Sequence, residues 1–182
     1  MIDNCFTPAF EARGTTVNKW GKDQTGLREY RFNNSGFRSN FEYTTSPEYA
    51  IFGASVVFGV GMPLEQTICS LLPSCQNYGL SGNYYNHHSV DNLKKFINSP
   101  LYQEGTKIVF FWIDRPGVED IASMIKEVDL ICANVLHINL GVKVPGAINL
   151  FPHVDLDVSG THPGPHTHIK WAKTIELIFN SK

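Results

Sequence analysis

The chain contains no apolar run of the ~18 residues that a membrane-spanning helix needs. Neither sign of charge is in excess, because 15 Lys and Arg stand against 17 Asp and Glu for a net charge of −2. This balance excludes a broad basic surface for nucleic acid and an acidic tail, so neither nucleic acid nor membrane is an expected partner. Cysteine is scarce. Cys5, Cys69, Cys75 and Cys132 lack the paired spacing of a metal site and are expected to be reduced and mostly buried, with Cys69 and Cys75 the pair that an oxidising setting would join. The N-terminus, MIDNCFTPAFEARGTT, carries an early acid and no continuous apolar core. It does not read as a secretion signal, and a cytoplasmic location is expected. There are no internal repeats and no low-complexity tracts.

What is present suits one α/β domain. A length of 182 residues supports one sizeable core. Residues 1–45 read as an irregular arm packed on that domain, rich in Asn, Thr, Arg and aromatics, with a short strand around Tyr30–Phe32. From Tyr49 onward the pattern is regular. YAIFG, CQNYGL, KIVFFWI, VLHINL and GAINLF read as strands, KIVFFWI being the continuous apolar run expected of a central parallel strand. Four segments read as helices: PLEQTICSLL with Pro63 in its first turn, SVDNLKKFINSP capped by Ser89, VEDIASMIKEVDLICAN, and PHTHIKWAKTIELIFN. Strands alternating with helices predict a three-layer α/β/α sandwich around a parallel, flavodoxin-like sheet of about five strands. Ligands of such sheets bind beyond the carboxyl ends of the strands. Ser55, the NYGLSGN loop, Asp114 and the HPGPHTH segment all fall there.

The most informative stretch is FGASVVFGVG, from Phe52 to Gly61. It lacks the Lys-Ser/Thr of a P-loop and the third glycine of a dinucleotide turn, which argues against nucleotide binding. A strand–Gly–x–Ser turn instead presents a hydroxyl where backbone N–H groups can stabilise an oxyanion. A nucleophilic serine needs a base, and His162, held in a loop by Pro163, Gly164 and Pro165, is the best candidate. His162, His166 and His168 also have a metal-like order, but His166 and His168 are two apart at a helix start and point to different faces. His87 and His88 read as lining a polar groove or facing water. His137, inside an apolar strand, reads as a hydrogen-bonded core residue.

These segments, in this order from about Asn33 to the C-terminus, resemble the SGNH (GDSL-type) hydrolase family. FNNSGFRS resembles the Asn-Ser-x-Gly-Phe-Arg element ahead of the nucleophile in some members. IFGASVVFGVGMPLEQTICSLL resembles the first block, QNYGLSGN the second, and THPGPHTHIKWAKTI the last. The resemblance implies Ser55 as nucleophile and oxyanion N–H donor, Gly82 as the oxyanion glycine and His162 as base. The chain departs from the pattern at Ala54, where the family has Asp. It departs again at Ile113, where the oxyanion Asn belongs with Asp114 beside it, and at Ser159, where the acid three residues before the His belongs. Asp157 is then the expected orienting acid, and Asn83 or Asn86 the replacement oxyanion donor. Asp114 and Asn86 are expected to touch substrate.

The resemblance therefore implies a serine hydrolase acting on a small acyl ester or acylated sugar, with no metal or organic cofactor. The alternative is a catalytically degenerate protein of the same fold that binds a glycan or serves as a structural or interaction module. The departures at Ala54, Ile113 and Ser159 support it, as does an arm bearing Trp20, Tyr30, Phe32 and Phe37. A short chain with such an arm would suit a bacterial or phage protein.

Overall fold

The apolar run at Lys107–Trp112 has no polar alternation, so it can be stable only when both faces are covered. It forms strand β5 at the centre of the main sheet. A computed structural model describes residues 20–22, 29–81, 86–113, 120–141, 143–150, 152–157 and 160–181. Within them β1 (Trp20–Lys22) and β2 (Glu29–Arg31) make an antiparallel pair, and Phe32 bridges Arg38. The main sheet adds β3 (Tyr49–Gly53), β4 (Cys75–Gly79), β6 (Val135–Asn139) and β7 (Ile148–Asn149). Its order is β4-β3-β5-β6-β7 and every pairing is parallel. This is the flavodoxin-like order expected from the alternation of strands and helices.

Period-two alternation sends the strand side chains to two cores. On one face Ala50, Phe52, Phe110 and Trp112 meet α2 (Asn86–Ile97) and α3 (Ile121–Ile131) through Leu93, Phe96, Ile125 and Val128. Tyr30, Phe32, Phe37 and Tyr43 of the N-terminal arm join this core. On the other face Tyr49, Ile51, Val109 and Phe111 meet α4 (Pro165–Asn180) through Trp171, Ala172 and Ile175. A three-layer α/β/α sandwich results. No helix among the described residues is long and apolar enough to cross a membrane.

Three local expectations are corrected. The segment after Pro63 is not one helix but two 3-10 turns, Leu64–Gln66 and Ile68–Leu71. A continuous α-helix would bond the Ile68 N–H to the Leu64 carbonyl. Here the buried ring of His168 takes that N–H at 2.9 Å, while Thr67 donates both its N–H and its hydroxyl to Leu64. Ser89 does not cap α2. The helix begins three residues earlier, and the buried Ser89 hydroxyl donates to the Gly53 carbonyl at 3.1 Å. Cys69 and Cys75 are joined as a disulfide, their Cα atoms 5.4 Å apart. The 3-10 turn lays Cys69 beside the start of β4, an approach that spacing alone did not reveal. Cys132 is a free, partly buried thiol, and Cys5 lies outside the described residues.

Candidate active site

Ser55 opens α1 (Ser55–Phe58), a single helical turn that leaves the end of β3. The sequence forces a sharp exit there. Gly53 has φ +153°, and a Cβ on it would lie 2.7 Å from Val57 and 3.0 Å from Phe111. Its carbonyl is held by the Leu80 N–H and the Ser89 hydroxyl. Val57 and Phe58 are buried while Ser55 stays partly exposed. The turn thus buries its apolar side chains and presents the hydroxyl.

The arm fixes the far end of this turn. The buried Arg38 guanidinium donates to the carbonyls of Phe58, Gly59 and Met62. It also stacks on the rings of Tyr30 at 4.4 Å and Phe58 at 5.3 Å. A cation at the carbonyl end of a helical turn is electrostatically favourable. The Tyr30 hydroxyl accepts the Gly61 N–H at 2.8 Å.

His162 reaches the same edge from the other end of the chain. Asp155 caps α4 by accepting the N–H groups of His166 and Thr167 and the Thr167 hydroxyl. Burial pushes its carboxyl up, but these hydrogen bonds outweigh that and the net shift is downward. Residues 155–157 then run antiparallel to 162–164, with Leu156 bridging Pro163, Asp157 donating its N–H to His162 and Gly164 donating its own to Asp155. This small ladder places His162 Nε2 3.1 Å from Ser55 Oγ, across 107 residues of sequence. The serine–histidine pairing expected from the sequence is therefore within hydrogen-bond reach.

The other ring nitrogen faces something the sequence reading did not single out. Nδ1 lies 2.9 Å from the hydroxyl of Thr161 and 3.9 Å from Asp157 Oδ2. Asp157 is close, as expected, yet beyond hydrogen-bonding distance of the ring. Its fully buried carboxylate holds the loop backbone instead, Oδ1 accepting the N–H groups of Thr161 and His162 at 3.3 Å each. The signal for Thr161 was only its adjacency to His162. Burial lowers the His162 pKa from its ordinary value and the Asp157 charge partly opposes this. The net shift favours the neutral ring, the form able to accept a proton.

Asn86 is buried and uses both ends of its amide on Ile113, donating to the carbonyl at 2.8 Å and accepting the N–H at 3.2 Å. These two bonds tie the start of α2 to the residue that follows β5. Gly82, Asn83, Asp114 and Ser159 lie outside the described residues.

The histidines expected to diverge do so. His162 faces Ser55, His168 accepts from Ile68, and His166 is exposed. His137 is a buried core residue, accepting from Trp112 Nε1 at 3.0 Å with Asp129 on its other nitrogen. Among the described residues no three His, Cys, Asp or Glu side chains converge as a metal site would require. A cavity of about 130 Å³ lined by Arg38, Phe41, Tyr43, Leu64, Cys69 and Asn77, among others, includes neither Ser55 nor His162. No protein-family model, no curated protein and no solved structure matches the chain.

Proposed function

We propose that the chain is a serine ester hydrolase of SGNH type, acting on a small acyl ester or an acylated carbohydrate. The observation that carries this reading is the 3.1 Å approach of His162 Nε2 to Ser55 Oγ at the carboxyl edge of a parallel sheet, where such folds bind ligands. In this reading Ser55 Oγ attacks the ester carbonyl and its proton passes to Nε2. The imidazolium then protonates the departing alcohol, leaving an acyl group on Ser55. A water molecule, deprotonated by the same nitrogen, hydrolyses that intermediate and restores the hydroxyl. The oxyanion is assigned to the N–H groups of Ser55 and Gly82, with Asn83 as the side-chain donor. Substrate contact is assigned to Asp114 and Asn86. No metal or organic cofactor takes part.

One observation favours the second reading, a binding or interaction module on the same fold. The acid stands 3.9 Å from Nδ1, and an acid that fails to orient the base costs roughly 10⁴ in turnover in a serine protease. A fluorophosphonate probe distinguishes the two because it reports an activated serine without knowledge of the substrate. The expected result is one covalent adduct on Ser55, absent in Ser55→Ala, together with hydrolysis of a p-nitrophenyl short-chain ester that Ser55→Ala abolishes and EDTA leaves unchanged. An unlabelled Ser55 in folded protein would decide for the module.

A further inference from the structure

We infer that Thr161 positions the base: its hydroxyl accepts the hydrogen of His162 Nδ1 and thereby holds the ring in the tautomer that leaves Nε2 open toward Ser55. The effect on turnover rests on the hydrolase reading above, whereas the effect on the tautomer rests on the geometry alone.

A neutral imidazole carries one hydrogen on one of two nitrogens. For Nε2 to take the serine proton it must be bare, so the hydrogen resides on Nδ1 and needs an acceptor. Thr161 Oγ1 is 2.9 Å from Nδ1, whereas Asp157 Oδ2 is 3.9 Å away. The carboxylate is also confined. Oδ1 accepts two backbone N–H groups, and Oδ2 lies 1.9 Å from where a Cβ on Gly61 would stand. The two residues thus divide the work that one acid performs in a triad. Asp157 holds the Thr161–His162 backbone and supplies a nearby negative charge, and Thr161 holds the ring. Because Asp157 binds both N–H groups of this dipeptide, the threonine and the histidine are fixed as one piece. A β-branched residue suits the task, having few χ1 rotamers to lose.

The test is the tautomer of His162, read from long-range ¹H–¹⁵N correlations of the imidazole above pH 7 and assigned with His162→Gln. Wild type is expected to carry its hydrogen on Nδ1. Thr161 is exposed, so Thr161→Val should fold, and its circular dichroism verifies that. The valine variant should shift the hydrogen toward Nε2 and lower kcat on a p-nitrophenyl ester by about tenfold with KM little changed. Thr161→Ser, which keeps the hydroxyl, should restore both. A wild-type hydrogen on Nε2, or a Thr161→Val tautomer identical to wild type, overturns the inference. A tautomer shift in a protein whose Ser55 takes no fluorophosphonate sustains the inference about the ring and removes the hydrolase reading instead.

Discussion

His162 meets a neutral hydroxyl through Nδ1 and a carboxylate only at 3.9 Å, and this arrangement sets its acid–base behaviour. A carboxylate in direct contact would favour the imidazolium and raise the pKa. Here burial dominates and lowers it, with Asp157 opposing. The base is active when neutral, so kcat/KM should rise with pH and level off, with the midpoint of its acid limb below the ordinary 6.5. Asp157→Asn keeps an oxygen for the two backbone N–H groups and removes the charge. Its acid limb should move to still lower pH, and kcat should fall by about 10- to 10²-fold, short of the roughly 10⁴ seen when a directly bonded acid is neutralised. A pH–rate titration of both proteins checks this. An acid limb that rises in Asp157→Asn would show that the carboxylate does not act on the ring by its charge. Ser55 and His162 were legible because each sits in a short motif whose neighbours dictate its conformation. Thr161 was not, because nothing in a Thr-His dipeptide says which ring nitrogen turns toward the hydroxyl.

The Gly-rich segment that flanks α1, from Gly53 to Gly61, shows how one element is tied to several others. Its glycines meet Val57 and Phe111 at Gly53, Thr67 and Arg38 at Gly59, and Asp157 at Gly61. Neither phosphate binding nor chain flexibility is needed to account for them. At Gly61 two effects combine, a φ of +75° and the Asp157 carboxylate against the missing side chain. Gly105 has a comparable φ of +97° with nothing within 4 Å of its virtual Cβ. Ala at either site costs about 1–2 kcal/mol from the left-handed backbone. Gly61→Ala must in addition displace Asp157, so its melting temperature should fall several degrees further than that of Gly105→Ala, and its ester turnover should drop while Gly105→Ala retains it. Scanning calorimetry of the two variants, with the ester assay beside it, decides. Equal losses would mean that the approach of Asp157 to this turn contributes nothing. The same interdependence explains the segment after Pro63. Its apolar spacing predicts a helix, but the Ile68 N–H finds the buried His168 ring, and a tertiary acceptor outweighs local periodicity.

Across the whole molecule, His168 joins the 3-10 turn to α4, and this contact couples stability to pH. Burial is the largest cause that lowers its pKa to about 4, against an ordinary 6.5. Between those values the unfolded chain binds a proton that the folded chain excludes, so stability rises with pH across that window and falls as pH drops. The slope is about 1.4 kcal/mol per pH unit from this group. Urea titrations at pH 7.5 and 5 should therefore differ by about 2 kcal/mol, with the protein weaker at pH 5. His162 and His153, both lowered by burial, act in the same direction. His168→Gln keeps a side-chain acceptor and should flatten the dependence. An unchanged slope in that variant would assign it to other groups.

Hydrophobic pattern alone determined the five strands, three of the helices and the parallel sheet, because a strand buried on both faces and an amphipathic helix each leave a signature within a few residues of sequence. It also placed Ser55 and His162 on one edge, since strand order dictates which loops converge. The partner of Nδ1, the disulfide between Cys69 and Cys75, the interrupted helix after Pro63 and the cradle that Arg38 makes for α1 were decided by tertiary packing. Each depends on which donor and acceptor, or which two sulfurs, come within about 3 Å or less once the layers close. The distances at issue, such as 2.9 Å against 3.9 Å around His162, are smaller than a residue and leave no trace in spacing or periodicity.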